Sequence, residues 1–444
     1  MLSRNSVTGL LIFVISFAVF RLSPNHQVFD STYTMFFSQH LLRDGSFSVA
    51  RDAIPALDGV ADAKLQRGVT LPYHLEQVGE RIYYYFPPGS VLLSAPYVAL
   101  INLSGVAAED SRGRYFAPGE VEMQRWLAAF LMAALAVVVF QSSRVLLSLE
   151  WSACLAAATA FGTQIWSTAS RAVMADTWGV FLSAVAVWLI MRAEAKRVPH
   201  RPVLLATLLS WLYFCKPTYC VAIVAVSIYL ALFHRRILLP YMLAGAAWLA
   251  AFVAWSEYHF VTLLPLYYRA DRLTWGEGWE ALAGNLISPS RGLLIFVPVL
   301  WFVGYLLVRY WRWQEWRRLV WLAVGITGFH LLVIAGHVPW RGGHAFGPRL
   351  TTSLVPWFAL LAVLALDARQ RFASAARERQ SSERARLELA IGALLVTASI
   401  FIHAIGAISD SALQWNATPV DVEARAERVW TWSDAQFLAP FVTR

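Results

Sequence analysis

The chain has 444 residues, of which 58% are hydrophobic and only 15% are charged, and its mean hydropathy is +0.51. A soluble domain carries about 25% charged residues, so this composition excludes an ordinary water-soluble globular protein. The formal net charge of +9 does not indicate a nucleic-acid partner, because the arginines gather in short segments between long apolar runs. We therefore expect an all-α polytopic membrane protein with no nucleic-acid ligand.

Eleven apolar segments predict membrane spans, since a run of about 20 such residues crosses a bilayer as a helix. In chain order they are residues 6–22, 124–147, 151–168, 174–192, 203–215, 218–233, 238–256, 291–309, 317–336, 350–366 and 388–408. A further stretch, residues 89–106, contains Pro96 and Asn102, and it either crosses the membrane or lies in the interface.

The arginine-rich loops decide between these alternatives. If 89–106 lies flat and the N-terminus is cytoplasmic, then "MRAEAKRVPHRP", "HRR", "RYWRWQEWRR" and "DARQRFASAARERQSSERARLE" all face the cytoplasm, as the positive-inside rule requires. We therefore predict an interfacial helix at 89–106 within a long first outer loop, residues 23–123. The same topology predicts an outer C-terminal tail, residues 409–444, on a single membrane domain spanning residues 1–444.

A carboxylate and a group of tyrosines stand out in the first outer loop. Asp30 follows the first span within a few residues, and a carboxylate at the mouth of a membrane cavity is a candidate general base. Asp30 can also cap a helix that begins at Ser31, because Asp is a favoured N-cap residue. Tyr85, in "IYYYFPPGS", either anchors the protein at the interface or contacts a substrate.

Six strongly cationic residues fall on the predicted outer face, with Asp30, Asp176 and Glu257 as possible partners. A lone arginine at a helix end can simply extend to lipid phosphates. Ionisable groups at membrane depth are nevertheless functional candidates, and their number on one face favours an anion site. The six are Arg125, Arg171, Lys216, Arg291, Arg341 and Arg349.

The segment "WRGGHAFGPR", residues 340–349, is suited to a phosphate. Its glycines allow positive φ angles and a close approach of the backbone to a ligand. Pro348 fits the first turn of a helix, which places Arg349 at the start of the tenth span, where free N–H groups attract anions. His344 is more readily a hydrogen-bonding group than a metal ligand, and Trp340 either stacks on a sugar ring or anchors the interface. "SPSRGLL" repeats the arrangement around Arg291.

Four motifs follow one another along the chain: "FDSTY" with "LLRDGSF", "YYYFPPGSVLLSAPYVAL", "SPSRGLLIFVPVL" and "WRGGHAFGPRL". In their order and spacing the chain resembles, over most of its length, the polytopic bacterial glycosyltransferases of the GT-C superfamily. That superfamily includes protein O-mannosyltransferases, lipid A aminoarabinose transferases and mycobacterial arabinosyltransferases.

The resemblance implies a GT-C fold in the bacterial inner membrane with a periplasmic active site. It implies a polyprenyl-phosphate-linked sugar as donor, a glycan, lipid or protein as acceptor, and Asp30 as catalytic base. It also implies an interfacial helix after Pro87-Pro88 and a span opened by Arg125. Many relatives carry two adjacent acids at the base position, whereas Ser31 follows Asp30 here, so we predict no metal and no cofactor.

The resulting expectation is an inverting sugar transfer. Asp30 would accept the proton of the acceptor hydroxyl, while Arg291, Arg341 and Arg349, together with Lys216, neutralise the leaving phosphate. One alternative is a transporter or flippase of a lipid-linked or anionic substrate, although such proteins place their site near the midplane and often contain repeats. Another alternative is a surface polysaccharide polymerase or ligase, which shares lipid-linked donors.

Overall fold

A computed structural model describes residues 3–54, 63–66, 69–375 and 382–442. Within these residues the chain is mostly helical, as the sequence predicts. The α-helices are α1 (Arg4–Leu22), α2 (Thr34–Asp44), α3 (Gly89–Asn102), α4 (Ala117–Ser143), α5 (Leu149–Phe161), α6 (Ala175–Lys196), α7 (Pro202–Cys215), α8 (Cys220–Phe233), α9 (Arg235–Phe260), α10 (Gly278–Ile287), α11 (Leu293–Phe296), α12 (Val299–Arg309), α13 (Arg317–Ala335), α14 (Val355–Ala375), α15 (Ser382–Ile408) and α16 (Asp410–Gln414).

Seven helical segments of the described chain are long and apolar enough to cross a membrane. Each of them coincides with a predicted span, which confirms the coarse prediction of a helical membrane protein. They are Arg4–Leu22, Ala117–Ser143, Ala175–Lys196, Arg235–Phe260, Arg317–Ala335, Arg349–Ala375 and Glu383–Ile408.

The other four predicted spans correspond to α5, α7, α8 and α12, which have 13, 14, 14 and 11 residues. At 1.5 Å per residue, 14 residues extend about 21 Å, less than the roughly 30 Å of a hydrocarbon core. The predicted eighth span, 291–309, is divided between α11 and α12, because Pro298 has no N–H to continue the helix. Taken alone, these four helices are shorter than the hydrocarbon core, so the prediction of eleven spans stays a prediction.

The predicted first outer loop also contains a few short β-strands, which the sequence did not lead us to expect in a chain that is otherwise mostly helical. Its strands are β1 (Ser48–Val49), β2 (Ala63–Gln66), β3 (Val69–Pro72), β4 (Leu75–Val78) and β5 (Arg81–Tyr84), arranged as an antiparallel sheet in the order β1-β5-β4 and a β2-β3 pair. Pairing of Val78 with Arg81 leaves Gly79 and Glu80 as a two-residue turn. Gly79 has a φ of +63°, as the first position of a type II′ hairpin turn requires. The run of tyrosines at 83–85, predicted to make interface or substrate contacts, also has the high strand propensity that β5 reflects.

The predicted helix at 89–106 is present as α3, which has 14 residues and packs against α2 and α7. The approach to α7 is close, since a Cβ at Gly89 would lie 2.6 Å from the backbone nitrogen of Cys215. Helix α3 is therefore attached to the helical bundle, and its length suits a helix that does not cross the membrane.

Helices α4, α6 and α14 pack against one another at the centre of the bundle. In the apolar 18-residue stretch of Arg349–Ala375, 94% of the residues are buried inside the protein. In the corresponding stretch of Arg235–Phe260 only 11% are buried, as is typical of a helix whose apolar side chains face lipid. Glu120 and Asp176 lie in the first turns of α4 and α6, and Arg349 begins the short 3₁₀ helix, Arg349–Leu354, that leads into α14. Their N-termini therefore bring polar groups from distant parts of the sequence to one end of the protein.

Candidate functional site

The centre of the candidate site is an ion pair between Asp30 and Arg349. Asp30 lies in the turn between α1 and α2, and Arg349 begins the helical segment that contains α14. The Arg349 guanidinium donates a hydrogen bond from Nη2 to Asp30 Oδ2, and the Tyr73 hydroxyl donates to Oδ1 at 3.0 Å. The two charged side chains are 18% and 27% exposed, so the pair is accessible from one side.

This environment determines the ionisation of Asp30. Burial raises the pKa of the carboxyl group, but the charge and the hydrogen bond of Arg349, with the hydrogen bond of Tyr73, lower it by more. The pKa of Asp30 consequently lies below its ordinary value, and the group is a carboxylate at neutral pH. A base must be deprotonated before it can accept a proton, and Asp30 meets that requirement.

Buried polar residues hold the backbone around Asp30. The Tyr84 hydroxyl donates to the Asp30 carbonyl oxygen at 2.9 Å. The Gln124 side chain of α4 donates from Nε2 to the carbonyl oxygen of Ser31 at 2.8 Å. Strand β5 and helix α4 thus fix the position of the turn that presents the carboxylate.

Asp30 does not cap a helix in the structure, which was the alternative role predicted for it. Helix α2 begins at Thr34, three residues later than predicted, and its N-cap position is Tyr33. The fully buried carboxylate of Glu120 instead accepts hydrogen bonds from the backbone N–H groups of Met35 at 2.9 Å and Phe36 at 2.8 Å. Glu120 could not be recognised from the sequence, because a cap supplied by another helix leaves no local pattern.

A second ion pair, Lys216 with Asp176, lies in the same region. Lys216 Nζ donates to Asp176 Oδ2 at 2.7 Å, and the side chains are only 11% and 7% exposed. Asp176 also interacts electrostatically with Arg349, which relates the two pairs. Its other oxygen, Oδ1, is buried without a hydrogen-bond partner among the described residues. Asp176 stands in the first turn of α6, where the helix dipole favours a negative charge.

Arg171 has a structural role that the prediction of phosphate binding did not foresee. The side chain is 2% exposed, and its guanidinium donates to the carbonyl oxygens of Phe20, Ser23 and Asn25 at the end of α1. Cationic groups at a helix C-terminus satisfy unpaired carbonyls and stabilise the helix dipole. The geometry therefore assigns Arg171 to the α1 terminus and leaves it no exposed surface for a donor phosphate.

Arg291 is likewise enclosed. Its guanidinium makes five hydrogen bonds, which equals its number of N–H donors, and the residue is 1% exposed. Two of the acceptors are side-chain oxygens in the C-terminal tail, those of Asn416 and Gln436, each at 2.7 Å. The others are the backbone carbonyls of Ser290, Arg341 and Gly343. Arg291 therefore joins the tail to the 340–349 loop, and in this conformation it does not face a ligand.

The remaining cations are also paired. Arg341 Nη1 lies 3.6 Å from Glu277 and Nη2 lies 4.0 Å from Glu423, with 12% of the side chain exposed. Arg125 Nη1 lies 3.8 Å from Glu122 in the same helix. Both arginines are thus neutralised by carboxylates other than Asp30.

The other residues of the predicted site are dispersed. His344 Nε2 lies 2.9 Å from Asp421 of the tail. Trp340 is 1% exposed and packs against Gly284, so its ring is a core group with no exposed face for a sugar. The Tyr85 ring contacts Tyr267 at 5.6 Å, and Glu257 is an exposed residue near the end of α9.

The glycines of the 340–349 loop behave as predicted. Gly342, Gly343 and Gly347 have φ angles of +75°, +68° and +62°. A Cβ at Gly347 would also lie 2.5 Å from the Phe296 ring. These conformations turn the loop so that Arg349 reaches Asp30 while the preceding residues contact the tail.

Among the described residues, a group with spacing compatible with a metal occurs at Glu194, His200 and His234, whose ligand atoms lie within 4.8 Å of one another. His234 Nε2 already lies 2.5 Å from Glu194 Oε1, and the Tyr229 hydroxyl bonds the same oxygen at 2.6 Å. Hydrogen bonding to Glu194 therefore accounts for the placement of His234, and the ring of His200 packs against that of His234. The group lies at the far end of α6 from Asp176.

Four residues that shape the region were not predicted from the sequence: Tyr73, Glu120, Asn416 and Gln436. Tyr73 was signalled only by its place in an aromatic-rich loop, and the others act across distances of 80 residues or more. Comparison with known proteins finds no family model that matches the chain and no curated protein that matches its sequence.

Proposed function

We propose that this protein is a membrane glycosyltransferase that moves a sugar from a polyprenyl-phosphate donor to an acceptor hydroxyl at the end of the bundle that carries Asp30. The observation that supports this most directly is the contact of an ionised carboxylate with a partly exposed arginine, because the reaction needs a base and a phosphate-binding cation side by side. By the predicted topology this end is periplasmic, in a bacterial inner membrane.

The helix termini add to the suitability of this region for an anion. Helix α6, with Asp176 in its first turn, and the helical segment that Arg349 begins both present N-terminal backbone N–H groups there. Lys216 supplies a second cation. We propose that the donor phosphate contacts Arg349 and Lys216, in competition with Asp30 and Asp176. The predicted contributions of Arg171 and Arg291 to phosphate binding are not part of this proposal, because both are saturated by internal hydrogen bonds.

The proposed transfer inverts the anomeric carbon. The acceptor oxygen attacks that carbon while its proton passes to Asp30, and the bond from the carbon to the phosphate oxygen breaks with its electron pair on the phosphate. Arg349 and Lys216 stabilise the charge that develops on the leaving polyprenyl phosphate. Engagement of Arg349 by the phosphate also weakens its hold on Asp30, which raises the basicity of the carboxylate when the donor is bound.

The test is sugar transfer by the purified protein in detergent, with a panel of polyprenyl-phosphate sugars and release of polyprenyl phosphate as readout. Asp30→Asn removes the base and leaves a neutral side chain of similar size. Asp52→Asn, at an exposed residue of the same outer loop, is the matched control. We expect Asp30→Asn to reduce transfer by about 10²–10⁴-fold, the usual contribution of a general base, and Asp52→Asn to leave it unchanged.

Donor binding is measured in parallel so that loss of chemistry is separated from loss of binding. Retained binding by Asp30→Asn with lost transfer supports the assignment of the base. Equal activity of Asp30→Asn and wild type would refute it. Binding of a lipid-linked sugar without consumption of any donor would favour a transporter or flippase over a transferase.

A further inference from the structure

A cavity of about 530 Å³ lies between α12, α14 and α15. Phe372, in its wall, is near the end of the helical segment that Arg349 begins, so this cavity and the Asp30–Arg349 pair are at opposite ends of the protein. Its walls are largely apolar and aromatic, with Trp301 and Tyr305 from α12 and Ile391 from α15. The proposed sugar transfer makes no use of this cavity.

The same cavity is lined by three arginines, Arg309, Arg369 and Arg384, and by one carboxylate, Glu388. Glu388 accepts hydrogen bonds from Arg369 at 2.5 Å and from the Tyr310 hydroxyl at 2.8 Å. A single carboxylate cannot balance three guanidinium groups, so the cavity has an excess of positive charge. Arginine is the side chain best suited to a phosphate, since its N–H groups match two phosphate oxygens.

The charged and apolar parts of the cavity lie at different depths. Trp301 precedes Arg309 by eight residues of α12, which is about 12 Å along the helix at 1.5 Å per residue. Trp301 is 57% exposed and Ile391 is 46% exposed, so the apolar wall is open toward the surrounding lipid. A ligand that fits has an anionic phosphate at one end and a hydrocarbon chain of at least this length.

We propose that this cavity is a binding site for an anionic phospholipid of the leaflet opposite to the Asp30 site. The head-group phosphate contacts Arg309 and Arg384, and an acyl chain lies along Trp301 and Ile391. The arginine-rich loops are at this end, which the topology predicts to be cytoplasmic, and basic pockets between helices on that side suit anionic head groups. The proposal requires only that the protein is embedded in a membrane, and it does not depend on the proposed sugar transfer.

The experiment measures retained phospholipid by native mass spectrometry of the full chain, with phosphatidylglycerol and phosphatidylcholine offered in equal amounts. Arg309→Gln/Arg384→Gln removes two of the charges and leaves the Arg369–Glu388 contact in place. Arg235→Gln/Arg236→Gln is the matched control, because it removes two charges at the start of α9, outside the cavity lining. Ile391→Trp fills the apolar wall and leaves every charge unchanged.

We expect wild type and the control to prefer phosphatidylglycerol, and Arg309→Gln/Arg384→Gln to bind it about 10- to 30-fold more weakly, given about 1 kcal/mol for each arginine. Ile391→Trp is expected to lose lipid retention as well. The proposal is overturned if wild type does not distinguish the two lipids or if the double variant retains phosphatidylglycerol. Displacement of the lipid by inorganic phosphate, together with retention in Ile391→Trp, would identify a site for a free anion instead.

Discussion

Asp30 and Arg349 are separated by 319 residues in the chain, and their side chains form a partly buried ion pair that the Tyr73 hydroxyl completes. The pair connects the turn after α1 to the beginning of the most buried helical segment of the bundle. From α4, Gln124 bonds the same turn and Glu120 caps the start of α2, the helix that follows it. The carboxylate is therefore fixed by several parts of the fold, as a catalytic group must be.

The ion pair predicts a pH dependence of stability. The folded-state pKa of Asp30 lies below the unfolded value of about 3.9, so the pair stabilises the protein above that pH and this contribution is lost as the pH falls through the folded-state pKa. We expect Asp30→Asn to lower the melting temperature at neutral pH and to have little effect well below pH of about 4. Thermal unfolding of both proteins in detergent, from neutral pH to below about 4, measures the difference in melting temperature. An equal difference at every pH would contradict the role of the charge.

The Lys216–Asp176 pair predicts a non-additive double-mutant cycle. Lys216→Met leaves the carboxylate of Asp176 without its cation in a nearly closed environment, and we expect a loss of about 3–5 kcal/mol in the free energy of unfolding. Lys216→Met/Asp176→Asn should recover most of that loss, because no isolated charge remains. Chemical unfolding of Lys216→Met, Asp176→Asn and the double variant gives the coupling energy, and additive effects would show that the pair is unimportant for stability.

Substitutions of two glycines in the 340–349 loop allow the cost of backbone strain to be measured separately from the cost of a steric clash. Gly343 and Gly347 have similar positive φ angles, but only Gly347 has a ring against the position of a Cβ. We expect Gly343→Ala to cost about 1 kcal/mol from the backbone alone and Gly347→Ala to cost at least about 1 kcal/mol more, because the Phe296 ring must move. Melting temperatures of the two variants measure the difference, and equal values would mean that the loop relaxes away from Phe296.

The enclosure of Arg291 predicts that it keeps the C-terminal tail attached. Arg291→Lys preserves the charge but supplies three donors where the arginine has five, so the contacts with Asn416 and Gln436 cannot all be kept. We expect limited proteolysis to cleave the tail of this variant several times faster than that of wild type. Arg425→Lys, at an exposed position in the same tail, is the control and should have no effect. Unchanged cleavage in Arg291→Lys would show that other contacts hold the tail.

The sequence determined the class of the protein and the helices that are long enough to span a membrane. These follow from composition and from the length of apolar runs, which are properties of contiguous residues. Contiguous signals also located α3, the positive φ angles of the 340–349 loop and the start of a helix at Arg349. The β-structure of the first outer loop was missed, although the hairpin at Gly79 has a local signature.

The tertiary structure decided which charges meet. Sequence analysis grouped six cations on one face as an anion site, but topology assigns only a side of the membrane and says nothing about depth or direction. Among these six residues, all of them in the described part of the chain, Arg171 bonds to the end of α1, Arg291 bonds to the tail, and Arg349 is the one that pairs with Asp30. A charged side chain of low exposure needs hydrogen-bond or ionic partners inside the protein, and for Arg171, Arg291 and Arg349 these include residues more than 100 positions away in the chain. The sequence therefore identified the charged residues of this face. Which of them support the fold and which belong to the candidate site depended on the packing of α4, α6 and α14.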